Sequence, residues 1–506
     1  MRRSHVLLTL CSTTMLLMVG AACQVGSDCD FGLCDGPPFG SSRNDGGAEG
    51  STDAASDVVQ PPPGCDPKAE PKDSPKCVDD GYGVFVSKGG GPTAAGTKAA
   101  PLSAIAAAVA LAANKGLPRV YVCGPDAFDE TVTINAQVSI YGGFSCADWA
   151  PSADRPKLAP AKLGSLPLTL AGAPKDNIVL SDFDVTAPDG DPQANRSSIA
   201  IFVNQLAGAG ATFRRLNVAA GLGRPGDDGQ DGATMTFTSD PGTDAGAPTT
   251  RGNDAVGFNG GAAQTCTCSD GKTTSGGKGS NFNAAMGVAG LPALGGGAGG
   301  STNNPCTNGG QGTDATAVGA AAPGATNLGL LDGTGWKPSA GEGGANGGHG
   351  QGGGGGGGFS INPNEGGGGS GACGGCGGTG GGGGKGGGAS IAIAVLDSPT
   401  LSFTGLTLSS KDAGKGGDGK AGGLGAPGGA RGNGAGNACP GGGGGKGADG
   451  AAGGGGAGGV SGGVVYKGPK PTGDFAWTGP STKAARGESP GNPGIEGESA
   501  KELEIK

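Results

Sequence analysis

Four charged residues have the types and spacing that could do chemistry. They are Asp182 and Asp184 in LSDFDV, and Arg214 and Arg215 in FRRLNV. Aligning the two stretches on their apolar residues sets Asp182 opposite Arg215, Asp184 opposite Asn217 and Ser181 opposite Arg214. On neighbouring strands such partners would sit about 5 Å apart. A carboxylate beside an arginine at that distance could form a catalytic acid–base pair. The plainer reading, which we favour, is a charge ladder on a solvated face, worth roughly 0–1 kcal/mol. A third aligned stretch carries Thr404, Gly405 and Thr407 at these positions, so no acidic cluster deepens there. Tyr121, Tyr141, Trp149, Trp336 and Trp477 form no evident row for stacking sugars.

Histidine offers little more. The 506 residues include two, His5 in a segment expected to be removed and His349 in GGHGQGG, read as solvated. One mature histidine argues against multi-histidine metal sites, and we expect no cofactor. Calcium on Asp-Gly loops is a weak option, because GRPGDDGQDG does not repeat a calcium-binding nonapeptide. A net charge of −9 supplies no basic face for nucleic acid.

The start of the chain places it. Arg2 and Arg3 precede an apolar run from Val6 to Val19, too short to span a bilayer comfortably, which ends at GAAC. Residues 1–23 read as an export signal and resemble a bacterial lipoprotein signal, with Cys23 the residue to be acylated. Gly20 departs from that pattern, and an ordinary cleaved signal is the alternative. The expected location is the outer membrane or cell surface, or the medium. If Cys11 is lost and Cys23 acylated, 12 of the 14 cysteines remain for disulfides. Cys29 with Cys34, Cys65 with Cys77, and Cys123 with Cys146 are the natural local pairs. The other six lie in Gly-rich sequence, where 15 connectivities are open. Cys373 and Cys376 form a CGGC; a zinc or redox reading would need a helix start or a second such pair, so we read a staple.

The elements that must position these residues repeat. Ser198–Gly232 and Ser390–Gly422 both open on SIAI, continue into a second strand, and dissolve into Gly and Asp. In the second strands Phe213, Leu216 and Val218, then Phe403, Leu406 and Leu408, step by three and then two, which is alternation broken by a bend. Leu180, Phe183 and Val185 keep the same rhythm, and Phe213 follows Leu180 by 33 residues. One such coil cannot bury its own apolar row, so coils must stack. This predicts that Phe213 and Phe403 share one apolar column. Upstream, GYGVFVSKGG reads as a strand, and LSAIAAAVALAANKG as a helix stopped at Lys115-Gly116.

Gly96-Thr97, Pro101, Ser103, Ile105, Val120-Tyr121-Val122, Gly124, Phe128 and Glu130 then follow in order. In these residues the chain resembles pectin-lyase-like right-handed parallel β-helix proteins, of the secreted or lipoprotein type seen in myxobacteria-like bacteria. The resemblance covers about residues 82–218 and 390–408. It implies an all-β fold, a right-handed parallel β-helix with an N-terminal capping helix.

Glycine accounts for 119 residues and dominates what remains, 30 of the 48 from Gly341 to Gly388. Ordering such a backbone costs roughly 1–2 kcal/mol per residue, and glycine lies at the costly end. A flexible coil or a backbone-bonded array of extended Gly helices would satisfy this composition, and we expect irregular insertions. The expected organisation is a signal over 1–23, a disordered tether over 24–81, β-helix over 82–220, a Gly-rich insertion over 221–389, one coil over 390–410, a second insertion over 411–459, closing strands over 460–478 and a polar tail over 479–506. The function expected is that of a lipid-anchored surface protein with a structural, adhesive or matrix role. Its partners would be the membrane, through the anchor, and surface polysaccharide or matrix. Catalysis on acidic glycans by Asp182, Asp184, Arg214 and Arg215 is the alternative.

Overall fold

The three-then-two rhythm has a backbone cause. At the break between apolar residues the chain turns through a left-handed conformation, with φ of 56° at Asp182, 50° at Arg215 and 65° at Gly405. One residue there leaves the pleat, so the next apolar side chain returns to the inner face three positions on. The computed structural model describes residues 59–238, 250–283, 286–293, 295–302 and 304–506, which belong to one compact unit. The signal, Cys23, and the Cys29 and Cys34 pair lie outside the described residues.

The protein is nearly all-β, and its main strands pair in parallel. They line up in three columns. The first runs through Gly83–Gly91, Arg119–Cys123, Ser139–Phe144, Ile178–Ser181, Ala211–Arg214 and the start of Leu401–Ser409. Past the bend, Ala127–Phe128, Lys157–Leu158, Asp184–Thr186, Asn217–Ala219 and the end of Leu401–Ser409 make the second. Val132–Ile134, Leu168–Ala171, Ser198–Asn204, Ser390–Leu396, Val460–Lys467 and Glu498–Glu504 make the third. From Arg119–Cys123 onward the chain visits the columns in turn, with Thr472–Thr478 extending the first two beside Leu401–Ser409.

In-register stacking builds the core. Phe213 pairs with Leu180 on one side and Phe403 on the other, and the two phenyl rings stack at 5.8 Å. Phe403 in turn meets Phe475 edge-on at 5.9 Å. The two copies of the repeated stretch therefore share one column and one core, as the rhythm predicts. Val185, Val218 and Leu408 form a second buried ladder. The helix Ile105–Lys115 buries Ile105, Ala108, Val109 and Ala112 against the same core and ends at Gly116 in the left-handed region, φ 67°. In the third column SIAIFV is apolar on both faces. Its outer face packs under the hairpin Gly329–Asp332 and Gly335–Pro338 through Leu331 and Trp336.

Among the described residues the Gly-rich segments are ordered, which corrects the expectation of irregular insertions. The chain leaves the second column at Ala219 and re-enters the third at Ser390; it leaves again at Ser409 and returns at Val460. Between these points, extended segments hydrogen-bond side by side with a period of three. Gly369, Ala372, Gly375, Gly378, Gly381 and Gly384 donate to the carbonyls of Cys439, Gly442, Gly445, Ala448, Ala451 and Gly454. The next residue of several triplets, Cys373, Thr379, Gly382 and Lys385, donates the other way, to Thr250, Ala233, Gln230 and Asp227. Three residues per turn is the polyproline II repeat, which has no bonds within its own chain and must find them in neighbours. Glycine is required here by close approach, not by a special φ. A Cβ on Gly378 would lie 1.9 Å from the Gly423 carbonyl oxygen, and one on Gly384 would lie 1.9 Å from that of Gly417.

Two ends of the chain also differ from expectation. Residues 59–81 are not a free tether. Arg119, held between the rings of Tyr82 and Tyr141 at 5.2 Å, donates to the carbonyls of Pro67 and Ala69 and fastens that segment to the first column. The expected polar tail contains the strand Glu498–Glu504, which extends the third column; its glutamates suit an exposed sheet edge.

Gly378→Ala should lower stability by about 1–3 kcal/mol or more, because backbone must move to admit the methyl group. Gly319→Ala, whose Cβ would meet nothing within 4 Å, should change it by less than about 0.5 kcal/mol. Thermal unfolding of the two variants checks this contrast.

Candidate functional site

The bends gather the charged residues. Ser181 and Arg214 end paired strands, and Asn217 pairs with Asp184 on the far side of the bend. Between them Arg215 grips Asp182 with two bonds of 2.7 Å, from Nε to Oδ1 and from Nη2 to Oδ2. Arg215 Nη2 also donates to Ser181 Oγ, whose hydroxyl donates to Asp182 Oδ2, both at 2.7 Å. The register read from the sequence thus brings Asp182 to Arg215, and Ser181 to Arg214.

A buried glutamate joins the cluster and was not legible from the local pattern. Glu70, 8% exposed, arrives from the docked N-terminal segment and pairs with Arg215, with Arg214 at 2.8 Å and with Lys72 at 3.3 Å. Its sequence signal is its place inside the loop between Cys65 and Cys77, which the structure closes with a disulfide. Asp184 belongs to a separate pair: its Oδ1 accepts from Arg155 Nε and from Asn217 Nδ2, each at 2.8 Å.

Electrostatics settle what this arrangement does to its groups. Burial opposes the charge on Glu70, but hydrogen bonds from Arg215 and Arg214 outweigh it and hold the carboxyl at about 2. At Asp182 burial acts against the charge in the same way, and bonds from Arg215 and Ser181 overcome it, lowering the pKa. The bond to Asp182 is the main cause that raises the Arg215 pKa further, against burial and helped by Glu70. A carboxylate held this low is a poor proton acceptor near neutrality. Through Glu70 these ion pairs tie the N-terminal segment to the bend at Arg215, and through Arg215 to the bend at Asp182. A cleft of about 520 Å³ opens beside them, lined by Glu70, Tyr82, Arg119, Tyr141 and Arg214.

The remaining expected residues fall elsewhere. Cys123 and Cys146 are joined, as expected, beside the first column. The six cysteines of the Gly-rich sequence pair as Cys266–Cys373, Cys268–Cys376 and Cys306–Cys439. The CGGC does have a second pair opposite it, the C-x-C of Cys266 and Cys268, which the sequence reading passed over. His349 is not solvated: its side chain is 8% exposed and bonds to Asp270. In the Asp-Gly run, Asp227 pairs with Arg196, and Asp228 accepts from Lys420 at 2.9 Å and from the Asp418 amide at 2.8 Å.

Comparison with protein-family models, curated proteins and solved structures finds no match for the chain.

Glu70→Gln leaves two guanidinium groups facing a neutral amide and should cost roughly 1–3 kcal/mol at neutral pH. Because its folded pKa is depressed from 4.5 to about 2, the stability Glu70 contributes is present above the unfolded value and is lost as pH falls toward 2. Denaturant titrations should show the gap between wild type and variant closing over that window.

Proposed function

We propose that this is an exported, lipid-anchored cell-surface protein with a structural or adhesive role toward surface polysaccharide or matrix. Its three strand columns would be the walls of a right-handed β-helix of the pectin-lyase-like kind, capped at the first coil by the helix Ile105–Lys115. Column-by-column parallel register supports a winding chain, and burial of the apolar face of the helix against the first strands supports the cap. Five disulfides among the described residues suit an oxidising compartment.

One observation carries the preference for scaffold over catalyst. Each carboxylate that could act as an acid or base at the bends is already committed to a guanidinium: Asp182 and Glu70 to Arg215, and Asp184 to Arg155. A lyase or hydrolase working through these carboxylates would need one of them free to take or give a proton. The bonded Gly array meanwhile continues the backbone pairing past the strand columns, which suits a protein that presents a surface.

Cell fractionation tests the anchor. The wild type should partition with membranes and be cut by protease added to whole cells. Cys23→Ser should move it to the soluble exported fraction. Cytoplasmic retention of the wild type would contradict the reading. Purified protein should bind acidic polysaccharide or matrix without turning it over. Turnover abolished by Asp182→Ala and Arg215→Ala, with the fold intact, would establish the enzyme instead.

A further inference from the structure

Two different backbone periods bring four sulfurs together. In the strand Gln264–Cys268 side chains repeat every two residues, so Cys266 and Cys268 share a face. In the extended Gly segment they repeat every three, so Cys373 and Cys376 share one as well. The fold lays the C-x-C against the C-x-x-C, and all four cysteines are 5% exposed or less.

The surroundings of Cys268 and Cys376 contain more than a disulfide requires. A His349 ring nitrogen lies with both sulfurs in a group whose ligand atoms are all within 4.8 Å of one another. Met235, 3% exposed, packs in the same buried cluster. The imidazole is oriented on both sides. Nδ1 accepts from the Gly377 amide at 2.9 Å and so carries a lone pair, while Nε2 faces the Asp270 carboxylate at 3.0 and 3.1 Å. A carboxylate on the far nitrogen is the usual means of fixing a metal-binding imidazole. Two thiolates, an imidazole and a neighbouring thioether form a soft donor set, suited to copper(I) before harder cations.

We propose that the thiol form of this cluster is a copper(I) site, with Cys268, Cys376 and His349 as ligands and Met235 as an adjacent soft donor. In the disulfide form described above the two sulfurs are bonded to each other and the site is closed. A dithiol reductant opens it. The Cys268–Cys376 S–S bond breaks, the cysteines take up two electrons and two protons, and the two thiols of the reductant become a disulfide. Copper(I) then displaces the two protons to solvent and forms two S–Cu bonds, with the Nδ1 lone pair of His349 turning from Gly377 to the metal. Asp270 keeps its bond to Nε2 throughout.

The full exported chain tests this anaerobically. Protein reduced with a dithiol and then freed of it is offered copper(I) as its bicinchoninate complex, and loss of that complex's visible absorption reads the transfer. Reduced protein should take one equivalent that the oxidised protein does not. Cys268→Ser with Cys376→Ser should lose that equivalent, although Cys306 and Cys439 remain as thiols. Cys266→Ser with Cys373→Ser should keep it, which separates loss of the site from loss of a staple. His349→Gln should weaken competition against bicinchoninate at least tenfold, and copper-edge X-ray absorption should show nitrogen beside sulfur only when His349 is present. Equal uptake by the Cys268→Ser, Cys376→Ser variant, no uptake by reduced wild type, or a sulfur-only shell in the wild type would each overturn the proposal.

Discussion

The structure depends on one contact, the hydrogen bond from a backbone amide to a carbonyl on a neighbouring segment too close to tolerate a Cβ. An extended glycine chain makes no bonds of its own, and ordering it is costly in entropy. The cost is offset only if nearly every amide finds a partner outside its own segment, because a buried orphan adds a penalty of its own. Segment 366–388 meets that condition by donating in turn to different neighbours, among them 439–454 and 227–253. The absence of side chains, which rules out an oily core, is what lets the backbones close up and bond.

The array is continuous with the strand columns that launch it. Ala220 donates to Ser409, and Gly223, Gly226, Gly229 and Gly232 then donate to Asp412, Lys415, Asp418 and Ala421. The parallel register of the second column thus runs on as the side-chain period changes from two to three. Upstream of that change, phenyl and aliphatic ladders bury the core; downstream, backbone does. The disulfides between Gln264–Cys268 and the CGGC segment tie the array to itself where no apolar ladder reaches. At the other end, the charges at Asp182, Arg215 and Glu70 fasten the N-terminal segment across the bends.

Much of the strand stack was legible because a bend recurs with a fixed rhythm. The three-then-two step at Phe213, Leu216 and Val218 carried the register to Phe403, and with it the pairing of Asp182 with Arg215. Glu70 was hidden because it comes from more than 140 residues away in the sequence, on a segment whose composition reads as a spacer. The order of the Gly-rich region was hidden for a different reason. Composition excludes a side-chain core, but whether backbones bond instead depends on long-range registers, which a run of glycines does not encode locally. Cys266 and Cys268 escaped notice as partners of the CGGC because a period of two opposite a period of three makes unequal spacings equivalent. His349, alone among glycines, looked exposed because its partners Asp270 and Gly377 come from segments distant in sequence.

Amide hydrogen exchange resolved along the chain tests the central claim most directly. If the Gly-rich segments form a backbone-bonded array, amides across 366–388 and 441–459 will exchange on the slow timescale of the strand Ser390–Leu396. Exchange of those segments at the rate of an unstructured chain, while Ser390–Leu396 stays protected, would contradict it.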